Sequence, residues 1–349
     1  MLAVYNRPAK LRRLLEIVAH AQPKTLLVIA DGPRDGDADD LQRVTAARRM
    51  LDRIDWPCEV LRRESPVNVG CDTWVPAGID WAFEHVSEAI VLEDDLIVHP
   101  EFLGWCASML HRHSADERIH CVCGRNEMAR WGDGTRDHFL VRRGSHLGCG
   151  TWRRAWKAAR AVELPHAGHP ERSPVQASDH RSLVSMHLSM LSDLSRARSL
   201  RGWDAQWELQ RAMLSGLCAV SATNQVAHGG YDAEATHPGR SIGLRAVQPV
   251  LAPERDPGTR AHDVDDRLDH WSLLIELADT CHDARMACRL AKSPGLALHP
   301  HARHHLAPFV RGSGLDCALT HLHAAGCRSP IIDQMREAVG GGTPNGTTQ

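Results

Sequence analysis

Residues 1–34 read MLAVYNRPAKLRRLLEIVAHAQPKTLLVIADGPR, and their pattern decides the fold. A short apolar run, Met1 to Tyr5, stops at Asn6-Arg7-Pro8. Pro8 suits the first turn of a helix, where its missing N–H would have had no partner. Leu11, Leu14, Leu15 and Val18 then recur at helical spacing. Lys24 to Ala30 is a second apolar run, closed by Asp31-Gly32-Pro33-Arg34. Strand, helix and strand joined by short turns make a βαβ unit, and hence a parallel sheet. Ligands of such sheets collect beyond the carboxyl ends of the strands. Asn6, Arg7, Asp31 and Arg34 all fall there.

Working outward, Cys58 to Arg62 predicts a third strand and residues 73–85 a helix. Between them, Asn68 and Gly70 form a tight turn that lets backbone approach a ligand closely, or an ordinary strand-to-helix turn. Asp37 to Asp40 reads as the polar start of another helix, with no chemistry assigned. Ala89 to Pro100, AIVLEDDLIVHP, then sets Glu93, Asp94 and Asp95 between two apolar runs. The runs read as one buried strand. Three acids at its end repel one another and lose hydration, so they need compensation. A hard cation such as Mg²⁺ or Mn²⁺ supplies it through carboxylate oxygens. Strand alternation puts Glu93 and Asp95 on one side and Asp94 on the other. The alternative is a strand that ends in a solvated acidic turn.

Residues 101–113 predict a helix with Phe102, Leu103, Cys106 and Leu110 on one face, and Ile119 to Cys123 a strand. Residues 125–150 read as an irregular, Gly- and Arg-rich loop region suited to an active site. A helix is expected to begin at Thr151-Trp152, a flexible loop to cover 165–178, and a polar helix to cover 179–199. Trp203-Asp204-Ala205-Gln206-Trp207 leads into another helix, and Leu217 to Ser221 is a strand. Beyond residue 250 the pattern is helical over 263–292, then rich in His, Cys and Gly, with a disordered tail from Gly340. No internal repeat is present.

Hydrophobic residues make up 43% of the 349 and charged residues 24%, which describes a globular chain with material for a sizeable core. The net charge of −2 gives no basic field to gather nucleic acid. No apolar stretch approaches the roughly 18 residues of a bilayer span, and peripheral membrane contact stays open. The N-terminus has no signal-peptide pattern. The eleven cysteines are odd in number and follow no frame, which points to free thiols in a reducing cytoplasm. Cys121 and Cys123 lack the usual C-x₂-C zinc spacing, and no second pair supplies the remaining ligands. Most of the 23 histidines sit in polar, arginine-rich context and read as solvated.

One ordered set of segments resembles a GT-A nucleotide-sugar glycosyltransferase. It is most similar to bacterial relatives of the animal enzyme that adds β-1,2-N-acetylglucosamine to mannose on N-glycans. The set comprises Asn6-Arg7-Pro8, Asp31-Gly32-Pro33-Arg34, Asn68-Val69-Gly70 with Gly78-Ile79-Asp80-Trp81, and Ile90 to Leu96 with Pro100-Glu101-Phe102. It continues through Thr151 to Trp156, Trp203 to Trp207, and Ala235-Thr236-His237, covering roughly residues 1–240. The resemblance implies an α/β GT-A (Rossmann-like) fold: a mostly parallel sheet flanked by helices, with a helical C-terminal extension. It divides the chain into a nucleotide-binding half (about 1–100), an acceptor half (about 101–250), a helical region of unknown role (251–339) and a tail (340–349).

The resemblance also implies roles. Asp95 would bind the Mn²⁺ or Mg²⁺ that bridges the donor diphosphate, and Glu93 and Asp94 would contact donor ribose or sugar. Asp31 would hydrogen-bond the uracil of a UDP-sugar, and Arg7 would pair with phosphate or base, with Arg34, Asn68 and Gly70 also on the donor. Asp204 would be the general base that takes the acceptor hydroxyl proton during inversion. It also precedes an apolar-periodic segment, where it could serve as a helix N-cap. Trp152, Trp203 and Trp207 would pack against a glycan or lipid-linked acceptor. His237 would complete the metal shell or contact the diphosphate.

Two departures stand out: a short first strand, and Leu147-Gly148-Cys149-Gly150 where the family carries a more aromatic Trp-Gly-Trp-Ala run. Two rivals remain. A sugar-1-phosphate nucleotidyltransferase would carry a glycine-rich, basic signature after the first strand, which Asn6-Arg7-Pro8 is not. A non-catalytic carbohydrate or nucleotide binder would have no use for a base at Asp204.

Overall fold

A computed structural model of the chain describes residues 1–132, 134–166, 188, 191–192, 194–229, 250–254, 263–266, 268–269 and 272–273. The opening stretch forms the expected βαβ unit: β1 (Leu2–Val4), α1 (Pro8–Ala21) and β2 (Thr25–Ala30), with Leu2 paired to Val28 in parallel register. Pro8 lies in the first turn of α1, and Gln22 closes the helix in the left-handed conformation. α2 (Ala38–Leu51) is capped by Asp37, whose carboxylate accepts from the Asp40 amide at 3.0 Å. β3 (Glu59–Glu64) joins β2 in parallel, and α3 (Cys71–His85) leads to β4 (Glu88–Glu93), parallel to β1.

The stretch from 89 to 98 is not one strand. Asp94 and Asp95 turn the chain out of β4, and β5 (Leu96–Val98) leaves the main sheet to pair antiparallel with β10 (Val226–His228). The expected alternation of Glu93, Asp94 and Asp95 across a strand therefore fails at Asp94. The second half continues through α4 (Phe102–Arg112), β6 (Ile119–Cys123), β7 (His138–Val141), β8 (Cys149–Trp152), α5 (Arg153–Arg160), α6 (Trp203–Met213) and β9 (Leu217–Ser221). Residues 125–150, read as irregular, thus contain β7 and the start of β8. Trp152 ends a strand rather than opening a helix.

The main sheet has eight strands in the order β3-β2-β1-β4-β8-β6-β9-β7. Only β7 and β8 run against the others, so the architecture is α/β with a mostly parallel sheet. Strand alternation sorts the core into two layers. Ile29, Cys121, Cys123, Cys218 and Val220 face Ile79, Phe83, Trp156, Trp203 and Trp207 of α3, α5 and α6. Val28, Val122 and Ala219 face Leu11, Leu14, Leu51, Phe102 and Met109 of α1, α2 and α4.

Described residues past 250 pack on the same body. The Asp265 amide donates to Leu140 O at 2.7 Å, and Leu268 is buried in the first layer. No described helix is long and apolar enough to cross a membrane. The expected loop at 165–178, the polar helix at 179–199, most of the helical pattern at 263–292 and the tail lie largely or wholly outside the described residues.

Candidate functional site

The carboxyl ends of β1, β2 and β4 meet at one edge of the sheet, as parallel topology requires. The Tyr5 amide donates to Asp94 Oδ2 at 2.7 Å, tying the exit of β1 to that of β4. Two residues later Arg7 Nη1 lies 2.5 Å from Asp95 Oδ2 and 3.6 Å from Asp94 Oδ1. Both carboxylates are almost fully buried. The acids thus receive a guanidinium from their own chain. Burial works against charge on Arg7, but Asp95, Asp94 and Glu93 outweigh it and raise its pKa.

One guanidinium does not balance three acids. Burial first, then repulsion by Asp95, Asp204 and Asp94, pushes Glu93 up to about 8. Burial and Asp95 push Asp94 up to about 6, against the pull of Arg7 and the Tyr5 amide. On the far side of the turn, the β5–β10 ribbon brings His228 Nε2 to 3.5 Å from Asp95 Oδ2. Asp95 and His228 could share a cation, but they do not make a cage. Among the described residues, the one trio of ligand atoms within 4.8 Å of one another is Cys121, Cys123 and Cys218, inside the core.

Asp31 is fully engaged by its own chain. Its Oδ1 accepts from the amides of Gly32 and Val69, each at 2.8 Å. Its Oδ2 accepts from Asn68 Nδ2 at 3.1 Å and the Gly70 amide at 2.9 Å. Four donors fill the roughly four acceptor sites of a carboxylate, so no site is left for a uracil. Asp31 is a latch that holds the 68–70 turn, and Asn68 is part of the latch. A Cβ on Gly32 would come within 2.4 Å of the Val67 backbone, so the loops after β2 and β3 touch. Gly70, at φ +87°, begins α3 in a conformation that favours glycine.

Asp40 is a second node. It is buried and accepts from Tyr5 Oη at 2.6 Å, Asn6 Nδ2 at 2.5 Å and the Arg34 amide at 2.7 Å. Burial alone would raise its pKa, but these bonds and the Arg34 charge lower it. The Arg34 guanidinium lies 5.5 Å from the Tyr5 ring centroid and is otherwise exposed, free to meet a ligand at the strand ends.

Asp204 reaches this edge from the other half of the chain. Its charge acts on Glu93, and the amide of Gly202 donates to Asp72 Oδ1 at 3.1 Å, which docks α6 on the start of α3. The Cys71 thiol at this junction is pushed up to about 11, by partial burial of its sulfur and then by Asp72, Glu93 and Asp204. Gly202, not Asp204, is the N-cap of α6; Asp204 is an exposed acid in the first turn.

The tryptophans do not form an acceptor platform. Trp203 and Trp207 are buried, with ring centroids 6.1 Å apart and nearly parallel, and Trp207 also packs on Trp156 at 5.1 Å. They anchor α6 and leave Asp204 exposed. Trp152 is buried in the opposite layer under the Arg154 guanidinium. It pairs with Glu88, about 16 Å of strand from Glu93 at 3.3 Å per residue. A side chain that far away and covered cannot touch an acceptor at the acidic edge. His237 lies outside the described residues.

Asp40 and His228 escaped sequence reasoning. Asp40 was hidden in an acidic run that looks like plain helix-start chemistry. His228 becomes visible only through the pairing of two three-residue strands. The fold and the edge define an α/β protein with a buried acidic cluster, partly neutralised by Arg7, at the carboxyl ends of parallel strands. No protein-family model matches the sequence, and no curated protein matches it.

Proposed function

We propose that the chain is a metal-dependent inverting glycosyltransferase of the GT-A type, using a nucleoside-diphosphate sugar (UDP-sugar favoured) and a glycan or lipid-linked acceptor. The observation that carries the reading is the meeting of Asp204 with the acidic cluster at the ends of parallel strands. A pure binding protein has no need of an exposed carboxylate close enough to Glu93 for its charge to be felt there.

In this reading Arg7 and Arg34 pair with donor phosphates or base. The Asp31 latch presents the 68–70 turn, and Glu93 and Asp94 accept from donor hydroxyls. Asp204 receives the acceptor hydroxyl proton. A divalent cation shared with the donor would take Asp95 Oδ2 and His228 Nε2 once Arg7, which holds that oxygen at 2.5 Å, turns to the donor phosphates. Asp95 Oδ2 and His228 Nε2 have a separation close to that of adjacent ligands on one ion, and Mg²⁺ is commonly held by one or two carboxylates plus substrate phosphates. Unbalanced acidity at Glu93 and Asp94 marks the same place. Such an ion would neutralise charge developing on the diphosphate leaving group. A cytoplasmic location follows only from the free-thiol reading of the sequence.

Thermal stabilisation by a panel of nucleotide sugars, with and without Mn²⁺, tests donor binding. Ligand at a hundred times its dissociation constant contributes about 2.7 kcal/mol. Stabilisation by sugar-1-phosphates with nucleoside triphosphate, and not by any nucleotide sugar, would favour the nucleotidyltransferase instead.

A further inference from the structure

The sheet places four cysteines on its buried α5/α6 side. Cys121 and Cys123, two apart on β6, point to one face. Cys218 on β9 is the register partner of Cys121, and Cys149 on β8 is the partner of Cys123. All four are fully buried and free of disulfides. Cys121 Sγ lies 3.5 Å from Cys123 Sγ, and the sulfurs of Cys121, Cys123 and Cys218 all lie within 4.8 Å of one another. Tetrahedral thiolate sites with metal–sulfur bonds of about 2.3 Å put sulfurs about 3.8 Å apart. The trio is within an ångström of that arrangement.

Three further features surround it. Gly144 lies directly over the sulfurs, where a Cβ would come 2.7 Å from Cys123 Sγ and 2.8 Å from Cys218 Sγ. His146, two residues on, is buried against Trp207 with ring centroids 4.4 Å apart, and neither ring nitrogen has a hydrogen-bond partner among the described residues. Its charge would act on Cys218. Arg211 of α6 is fully buried; its Nη1 donates to Arg142 O at 2.8 Å and to Gly216 O, while its Nε and Nη2 have no partner among the described residues. Its charge acts on Cys218, Cys121 and Cys123.

Free cysteines often pack in cores as small apolar side chains, but that leaves the ring nitrogens of His146 and the Nε and Nη2 of Arg211 unanswered among the described residues. A buried imidazole with two empty nitrogens is costly, and so is a buried guanidinium. A dication on three thiolates carries a net charge of −1, and Arg211 brings the group to neutrality. Imidazole is a natural fourth ligand for such a cation, since Cys₃His is a common structural zinc set.

We propose that Cys121, Cys123 and Cys218 form a buried structural site for a thiolate-preferring divalent cation of the zinc type, with His146, whose ring nitrogens lie outside that 4.8 Å group, moving in as fourth ligand. Binding replaces three thiol protons with the ion, and those protons pass to solvent. Once moved in, the imidazole binds neutral and completes the tetrahedron. The ion ties β6 and β9 to the 142–148 loop beneath α6, and because the ligands converge only in the folded chain, its binding adds to folding stability. This site is separate from the acidic edge and stands whether or not the chain transfers sugars.

The test is the metal content of the full-length protein, purified without a histidine tag and dialysed against a chelator. The expected result is about one equivalent of zinc per chain, released in step with modification of buried thiols by a mercurial reagent. Replacement by Co²⁺ should give sulfur-to-metal charge-transfer absorption. Cys218→Ser should abolish retention, and His146→Gln should weaken it on the order of tenfold or more, since even outer partners of metal ligands contribute that much. Absence of metal from both purified and zinc-supplemented protein would overturn the site, as would zinc retained undiminished in Cys218→Ser. If the variants do not fold, the wild-type cobalt spectrum decides: bound Co²⁺ without charge-transfer absorption rejects thiolate ligation.

Discussion

Arg7 and Asp95 are in direct contact, with Nη1 2.5 Å from Oδ2, although 88 residues separate them. The guanidinium stands where a cation shared with a donor would be expected, and it also reaches Asp94. Removing one member of a buried ion pair typically costs about 3 kcal/mol or more. Arg7→Met should therefore lower unfolding free energy by about 3 kcal/mol, measured in urea. Millimolar Mn²⁺ should restore part of that loss in the variant and do less for the wild type. An equal response of both proteins to Mn²⁺ would count against a shared cation position.

Asp31 holds four donors, so its contribution is structural and local. Asp31→Asn keeps one acceptor oxygen and turns an NH₂ group towards two of those donors. With hydrogen bonds to buried charged groups at roughly 1.5–3 kcal/mol each, the variant should lose about 3 kcal/mol. The amides of Val69 and Gly70 should exchange hydrogen faster. Unchanged exchange there would remove the latch.

Asp204 and Trp207 share one helix, but one side chain is exposed and the other is buried in the core. Asp204 is an exposed first-turn acid whose interaction with the helix dipole is worth up to about 1 kcal/mol, so Asp204→Asn should fold nearly as well as the wild type. Trp207→Ala opens the core and should cost about 4 kcal/mol. Denaturation curves for both variants test the pair. A large loss in Asp204→Asn would assign Asp204 to folding.

His113 makes one contribution to the pH dependence whose sign follows from its burial. It is buried with its Nε2 3.0 Å from that of His138, whose Nδ1 lies 2.6 Å from Asp137; Arg112 and Asp116 also face it. Burial, then His138 and Arg112, lowers its pKa to about 4. The unfolded chain takes up this proton near pH 6.5 and the folded chain only near pH 4, so the contribution of His113 falls as pH drops through that window, whereas the raised pKa values of Glu93 and Asp94 add stability as pH drops. From pH 7 to pH 5 the loss assigned to His113 alone is about 2 kcal/mol, read as the difference between the wild type and His113→Asn. His113→Asn should lose less stability on acidification than the wild type, or gain more. A slope unchanged in the variant would place the proton uptake elsewhere.

The βαβ units were legible because Leu11, Leu14 and Val18 at helical spacing, and the runs ending at Ala30 and Glu93, are local signals. The convergence of Arg7, Asp31 and Asp95 followed from parallel topology. Their division of labour did not, because it depends on which donors reach each oxygen. Asp31 was filled by backbone amides from a loop some 38 residues away. The tryptophans misled for a related reason: Trp203 and Trp207 flank Asp204 in sequence, but helix geometry turns them inward and the acid outward. The cysteine site was invisible because its ligands come together only when β6 and β9 pair.

Turnover of a nucleotide-sugar donor, followed as nucleoside-diphosphate release with and without Mn²⁺, tests the central claim most directly. Wild type should release diphosphate only with the cation and faster with acceptor. Asp95→Ala should lose both donor binding and release, and Asp204→Asn should keep donor binding while losing acceptor-stimulated transfer. Full acceptor-stimulated transfer by Asp204→Asn, or metal-independent release by Asp95→Ala, would contradict the account.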